Sequence, residues 1–350
     1  MGDSGPCAGA RGVGQIAVLA SGVESERAHP LVDREQLEAL MAQEVAAVAR
    51  PECGLFGPGS AMWRVDRESI LFLGGGRAAL LQLAHPFVAH AVDQHSKTRS
   101  DPLGRFQRTF TNVYAMVFGD LDSALRSARR VHAIHQRIVG TINEDVGAFS
   151  QGSPYAANDV HALLWVHATL IDSALLFYEQ VFGVLPKTQR EAYYQGSKRF
   201  ARLFGIPAPI LPATLADFEA YMRRMLDSDV ISVGEPAREI ASFLFSPPSA
   251  ALGPPLRFLK LMTAGSLTPR LRQEFGFRWS GARERAYHGS LALLGPVYRS
   301  LPLRLRVVPA YSHALRRVAG GKGPDPFARR VESLLRAGLA RVGMPKPGLG

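Results

Sequence analysis

The chain has 350 residues, enough for one large domain or two modest ones, and at 47% hydrophobic it can bury a substantial core. Its two cysteines, Cys7 and Cys53, exclude a disulfide framework and a zinc or iron–sulfur ligand set, and they fit a reducing compartment. The formal net charge is +11, but base-stacking aromatic residues are not interleaved with the arginines, so we expect no nucleic-acid partner.

The first 30 residues are rich in Gly, Ala and Ser and lack hydrophobic periodicity, which predicts a disordered tail (1–30). No secretory signal is evident, and no run of 18 apolar residues occurs, so the sequence predicts a cytoplasmic protein without a transmembrane segment. Residues 31–345 are predicted to form a single helical domain.

Helical periodicity begins near Asp33 and recurs almost to the end of the chain, and no useful alternating β pattern appears. The fold class is therefore predicted to be all-α. The helices are predicted at 33–50, 77–95, 103–118, 121–139, 158–182, 188–204, 214–227, 235–246, 255–263, 268–275, 280–294, 302–318 and 325–341. The triple glycine at 74–76 lacks the Gly-Lys-Ser/Thr ending of a phosphate loop, and a close helix contact or a tight turn is the better interpretation.

The C-terminal region 286–345 is predicted to be helical and basic. Between residues 301 and 350, ten Lys or Arg residues face only Asp325 and Glu332. Such a region could touch an anionic membrane surface, although a plain solvated surface is the simpler interpretation.

Histidines dominate the candidate functional residues. His85, His90 and His95 are spaced five apart and turn progressively around their helix, so we interpret them as scaffold residues that do not share one ligand. In the helix at 121–139, His135 shares a face with apolar residues, whereas His132 is expected at the edge. His167 lies in an apolar stripe of the helix at 158–182. Each of these two, His135 and His167, could be a metal ligand or a core histidine bonded to a backbone carbonyl.

A polar patch is predicted on the helix at 103–118, where Arg105, Thr109 and Asn112 share one face. A guanidinium suits a haem propionate or another carboxylate, and the hydroxyl and amide could bond a substrate. The alternative is a structural arginine paired with Asp101 or Asp120.

Other chemistries lack their motifs. A di-iron bundle needs two Glu-x-x-His motifs on core helices, and the only one, Glu26–His29, lies in the predicted tail. Neither His-Glu-x-x-His nor Gly-x-Ser-x-Gly occurs. Among the cofactors considered, a histidine-ligated haem fits an α-helical pocket with few acidic residues best.

Five segments in order and spacing carry a resemblance to a known family. They are Gln82–Pro86, Arg105–Thr109, Val117–Asp120, His135–Gly140 and Trp165–Ser173. Together they resemble the rubber oxygenase (latex clearing protein) catalytic-domain family, which also includes the fungal endoplasmic-reticulum oxygenase of mycophenolic acid biosynthesis. The resemblance covers about residues 56–285, and the chain looks closest to the uncharacterised bacterial branch.

The resemblance implies an α-helical fold with a globin-like core around a b-type haem. It implies that Arg105, Arg108 and Thr109 form the distal set and that His135 is the proximal iron ligand. Latex-clearing proteins have lysine where Arg108 stands, and an always-charged arginine is not expected to ligate iron. The role of His167 stays open among a second axial ligand, a distal hydrogen-bond donor and a structural residue.

The expected function is that of a haem b-dependent oxygenase that inserts dioxygen into an apolar, unsaturated small-molecule substrate. Two alternatives remain from the sequence. One is a haem-binding or haem-sensing protein without oxygenase turnover, and the other is a cofactor-free helical protein that binds a lipid or a partner.

Overall fold

The computed structural model describes residues 30–96, 102–247 and 249–341, and this part of the chain is all-α apart from one two-stranded hairpin. The predicted tail, 1–30, lies outside the described residues except for its last position. The helices are α1 Arg34–Ala46, α2 Ala61–Asp66, α3 Phe72–Leu83, α4 Pro86–His95, α5 Pro102–Phe118, α6 Leu121–His135, α7 Val160–Phe182, α8 Lys187–Arg202, α9 Leu215–Asp227, α10 Glu235–Leu244, α11 Gly253–Ser266, α12 Pro269–Glu274, α13 Gly281–Ser300, α14 Leu303–Arg306, α15 Pro309–Val318 and α16 Pro326–Arg341.

Side-chain caps set several of the helix starts. Asp33 forms a capping box with Gln36 at α1, and Thr214 forms one with Asp217 at α9. Asp159 caps α7 by accepting a hydrogen bond from the backbone N–H of Ala162 at 2.8 Å. These caps satisfy N–H groups that have no partner within the first helical turn. The all-α prediction is confirmed; the globin-like core stays a prediction.

The helix predicted at 77–95 is wrong, because two helices occupy that span. Proline has no N–H to donate, so Pro86 begins α4 instead of continuing α3. His85 caps the new helix, and its ring Nδ1 accepts a hydrogen bond from the backbone N–H of Phe87 at 3.2 Å. The helix predicted at 302–318 is divided in the same way, with Pro309 beginning α15.

The three glycines at 74–76 lie inside α3 and form no turn. A Cβ on Gly74 would come within 3.0 Å of the Phe177 ring, and a Cβ on Gly76 would clash with the hydroxyl of Thr263. The absence of side chains therefore lets α7 and α11 approach the backbone of α3. The close helix contact expected from the sequence is confirmed.

The hairpin was not predicted. Strand β1, Val139–Thr141, pairs antiparallel with β2, Pro154–Ala156, with Gly140 opposite Tyr155. Three residues in each strand are too few to show an alternating pattern. The helix predicted at 121–139 therefore included Val139, the first residue of β1. The hairpin packs against α4, where Gln94 accepts a hydrogen bond from the Tyr155 hydroxyl at 2.7 Å.

The centre of the fold is the pairing of α3 with α7. The indole N–H of Trp165 donates to the Leu81 carbonyl at 2.8 Å. The buried guanidinium of Arg77 donates to the Ser173 hydroxyl at 2.9 Å and pairs with Asp172 at 2.5 Å. The Trp165–Ser173 segment thus joins α7 to α3 through directional bonds.

Among the described residues α7 is also the one helix long and apolar enough to cross a membrane, and 67% of its most apolar window is buried inside the protein.

Candidate functional site

A cavity of about 210 Å³ lies between α3, α5, α7 and α8, and residues of α2, α4 and α10 complete its wall. Small residues of α3 leave this space, since Gly74, Gly75, Ala78 and Ala79 all line its wall. Most of the remaining lining is aliphatic or aromatic and comes from the facing helices. A cavity of this composition favours an apolar ligand held out of water.

Few polar side chains interrupt the apolar wall. They are Asp66, Gln82, Thr109, Tyr114, Ser173 and Tyr193. Ser173 is held by Arg77, and Gln82 donates to the Thr169 hydroxyl at 3.1 Å, so both have structural partners.

Asp66, the last residue of α2, stands out among these polar groups. Its Oδ1 accepts a hydrogen bond from the Tyr193 hydroxyl at 3.0 Å, whereas its buried Oδ2 has no hydrogen-bond partner among the described residues. Burial raises the pKa of Asp66 to about 7, because the charged form loses its hydration, and the bond from Tyr193 offsets only part of this effect.

The predicted distal set lies on α5 and is only partly described. Thr109 lines the cavity wall and is also exposed, which places it at an edge where the cavity meets solvent. Arg108 is exposed, and the side chain of Arg105 lies outside the described part of the structure. Asn112 does not join them, because its side-chain oxygen accepts a hydrogen bond from Ser127 at 2.9 Å and so ties α5 to α6.

The expected orientation of the two α6 histidines is reversed. His132, predicted at the edge, is 5% exposed, whereas His135, predicted inward, is only half-buried. The face carrying His132 packs toward α1, where Arg129 pairs with Glu38 at 2.8 Å. Neither ring nitrogen of His132 has a hydrogen-bond partner in the described chain, and burial lowers its pKa. The assignment of His135 as an iron ligand stays a prediction.

His167 is buried in α7, one turn before the cavity-lining residues Leu170 and Ile171. The sequence left open a core histidine bonded to a backbone carbonyl, and neither ring nitrogen of His167 has such a partner among the described residues. Its ring lies 5.9 Å from that of Phe200, which also lines the cavity. Burial lowers the pKa of His167 to about 3, so the imidazole is neutral.

The histidines at 85, 90 and 95 have separate structural partners, as the sequence predicted. His85 caps α4, and the ring of His90 contacts the Pro86 carbonyl at 2.9 Å and the side-chain oxygen of Asn143 at 2.6 Å. His95 contacts the Val139 carbonyl at 3.0 Å. These three rings hold α4 and the hairpin in place and do not converge on one ligand.

Sequence patterns alone hardly indicate that Asp66 lies at the cavity. Asp66 stands on a helix whose other inward residues, Met62, Trp63 and Val65, are buried, and this was the one available signal. Its partner Tyr193 lies 127 residues away, a distance that no local pattern bridges.

Residues 63–296 match the family described as the ER-bound oxygenase mpaB/B'/Rubber oxygenase catalytic domain. The chain belongs to this family of oxygenase catalytic domains, and the resemblance seen in the sequence is confirmed. Uncharacterized proteins of Mycobacterium bovis and Mycobacterium tuberculosis are each 27% identical to it over 234 residues, which cover 64% of this chain and 88% of the relative. No solved structure matches the chain significantly.

Proposed function

We propose that the protein is a haem b-dependent oxygenase that uses dioxygen to oxidise an apolar, unsaturated small molecule bound in the cavity between α3, α5, α7 and α8. The observation that carries the proposal is this apolar cavity, with Thr109 at its edge, in a chain that belongs to an oxygenase family. A bound haem would supply the activation of dioxygen, a step that protein side chains alone do not perform.

The donor chemistry of the described residues fits a haem. No three His, Cys, Asp or Glu side chains in the described ranges cluster to hold a bare metal ion, but a haem iron needs only one or two protein ligands. An iron ligand must be a neutral imidazole with a free nitrogen. His132 and His167 meet this requirement, since the ring nitrogens of both are buried without a hydrogen-bond partner among the described residues, and His135 is the ligand that the family resemblance implies.

The remaining residues would position substrate and cofactor. The aliphatic and aromatic wall would hold the substrate and exclude water. The Thr109 hydroxyl would hydrogen-bond a polar atom at the edge of the cavity, and Arg105 would pair with a haem propionate. Arg108 would add positive charge without binding iron, because its guanidinium keeps its proton.

Haem binding is tested first by absorbance. Protein produced with added haem precursor is purified as wild type and as His132→Ala, His135→Ala and His167→Ala. We expect a Soret band that is lost or shifted in the variant of the true ligand, with His135→Ala as the first candidate. His288→Ala is the matched control, because His288 is exposed on α13, outside the cavity wall, where its ring contacts Glu284 and the neighbouring Tyr287 ring. Absence of a Soret band in fully haem-supplied wild type would contradict haem dependence.

A cofactor-free binding protein is the second candidate function, and one observation favours it. No histidine is among the described residues that line the cavity, so a haem would have to extend beyond the cavity wall to reach one.

Dioxygen consumption with candidate alkenes and phenols separates the functions. An oxygenase consumes dioxygen with a substrate, whereas a haem sensor keeps its Soret band and consumes none, and a cofactor-free protein shows neither signal.

A further inference from the structure

Among the described residues that line the cavity, only Asp66 carries a carboxyl group. A buried polar atom ordinarily has a hydrogen-bond partner. A buried atom without one lowers the stability of the fold, so it calls for an explanation such as a ligand. Oδ2 of Asp66 is such an atom, because Tyr193 bonds Oδ1 only.

The groups around Asp66 favour a neutral acid. The titratable side chains that interact with it are Tyr193 from α8, which donates a hydrogen bond to it, and Tyr114 from α5, whose pKa the Asp66 carboxylate helps to raise; both residues line the same cavity. Among the described residues, no cation contributes to holding the carboxyl ionised. Since the Tyr193 hydroxyl donates to Oδ1, the proton of the neutral acid belongs on Oδ2, for which the described chain offers no acceptor.

A ligand can supply that acceptor. A carbonyl or hydroxyl oxygen needs only one donor, whereas an ammonium group brings three N–H donors that the apolar wall cannot satisfy. The volume limits the ligand's size: an apolar cavity of about 150 Å³ holds benzene, so about 210 Å³ suits a molecule near the size of a fused bicyclic ring.

We propose that Asp66, positioned by Tyr193, binds the carbonyl or hydroxyl oxygen of an otherwise apolar ligand in this cavity. The inference rests on the proposed function only in identifying this ligand as the oxygenase substrate. The substrate class is therefore a small, largely hydrocarbon molecule with one neutral oxygen function, anchored at the α2–α8 end of the cavity.

A pair of probes that differ in one oxygen atom tests the inference. Calorimetry measures the binding of 1-tetralone and of tetralin to the protein as purified, at about pH 6, where the acid is mainly neutral. We expect the ketone to bind roughly tenfold more tightly than the hydrocarbon after correction for their different hydration, as one hydrogen bond to a buried donor provides. Equal corrected affinities would overturn the inference.

Variants locate the effect. Asp66→Leu should abolish the preference for the ketone, and Asp66→Asn should retain most of it because the amide still donates. Asp227→Leu is the matched control: Asp227 also ends its helix, α9, but is exposed and lies outside the cavity wall. An unchanged preference in Asp66→Leu would overturn the inference.

If Asp66→Leu does not fold, wild-type binding at about pH 9 replaces it, since the ionised carboxyl cannot donate and the preference should disappear. A preference that persists there excludes Asp66 as the donor. The Soret band is recorded on the same samples. A missing band with an intact ketone preference contradicts the haem proposal alone, and an intact band without the preference contradicts this inference alone.

Discussion

Replacing the buried imidazole of His167 should remove a defined part of the protein's sensitivity to acid. The His167 pKa is about 3 in the folded chain and 6.5 when solvated. The unfolded chain therefore binds a proton below pH 6.5 that the folded chain refuses, so acid favours unfolding. The stability at stake is fully present above pH 6.5 and is lost as the pH falls toward about 3.

The magnitude follows from the pKa difference. Each unit is worth about 1.4 kcal/mol, and pH 5 lies 1.5 units below the solvated value, so the free energy of unfolding should fall by about 2 kcal/mol on this account. His167→Leu replaces the ring by an apolar side chain of similar volume and leaves no proton to bind. The variant should lose about 2 kcal/mol less than wild type between about pH 7.5 and pH 5.

Urea unfolding followed by circular dichroism at the two pH values measures this difference. The contributions of His132, Asp66 and the surface carboxylates are common to both proteins and cancel. His161→Leu is the control, because His161 is exposed on the same helix and its replacement should leave the acid sensitivity of wild type. If His167→Leu and wild type lose equal stability, the imidazole is not held neutral in the folded chain and the burial argument is refuted.

Three further substitutions and one control test the packing and the cavity acid by thermal and urea unfolding. Gly76→Ala should cost about 1–3 kcal/mol, because its Cβ meets the Thr263 side chain, whereas Gly289→Ala, in open space on α13, should be neutral or stabilising by up to about 1 kcal/mol. Arg77→Met should cost about 1–3 kcal/mol, because it removes the hydrogen bond to Ser173 and the cation beside the partly exposed Asp172. No measurable cost would show that the contact between α3 and α7 does not depend on Arg77. Asp66→Asn should be more stable than wild type at about pH 8. Burial raises the pKa of Asp66 from 3.8 to about 7, so between these pH values the unfolded chain is ionised and folding must take up a proton, which opposes folding. A variant less stable than wild type at about pH 8 would contradict the raised pKa.

Local signals predicted most of the fold. Helical periodicity placed most helix ends within a few residues, because this signal acts over one or two turns. The errors arose where a single residue overrides periodicity. Pro86 divides an otherwise continuous apolar pattern, and the three-residue strand β1 follows α6 too closely for its own pattern to show. Periodicity alone therefore predicts a helix that continues through Pro86 and into β1.

The candidate site was less predictable, for a physical reason. The segments that resemble the family include much that builds the scaffold: His85 caps a helix, and Trp165 and Asp172 bind α7 to α3. These side chains form hydrogen bonds or ion pairs within the fold. Because the fold fixes their partners, a sequence pattern can identify such residues. The orientation of His132 and His135, by contrast, depends on which neighbouring helix covers α6, and periodicity cannot supply this.

The groups that point most directly to a ligand are those whose burial the fold leaves uncompensated. Several buried side-chain atoms have no hydrogen-bond partner in the described chain, and those of His132, His167 and Asp66 belong to groups that can bind iron or a substrate oxygen. Each such group costs stability, typically about 1–3 kcal/mol, so its retention needs a benefit beyond folding. Binding of iron by a neutral imidazole can offset this loss of stability, and so can binding of a substrate oxygen by a neutral carboxylic acid. The two kinds of group therefore separate the proposed cofactor from the proposed ligand, and each can fail its test without the other.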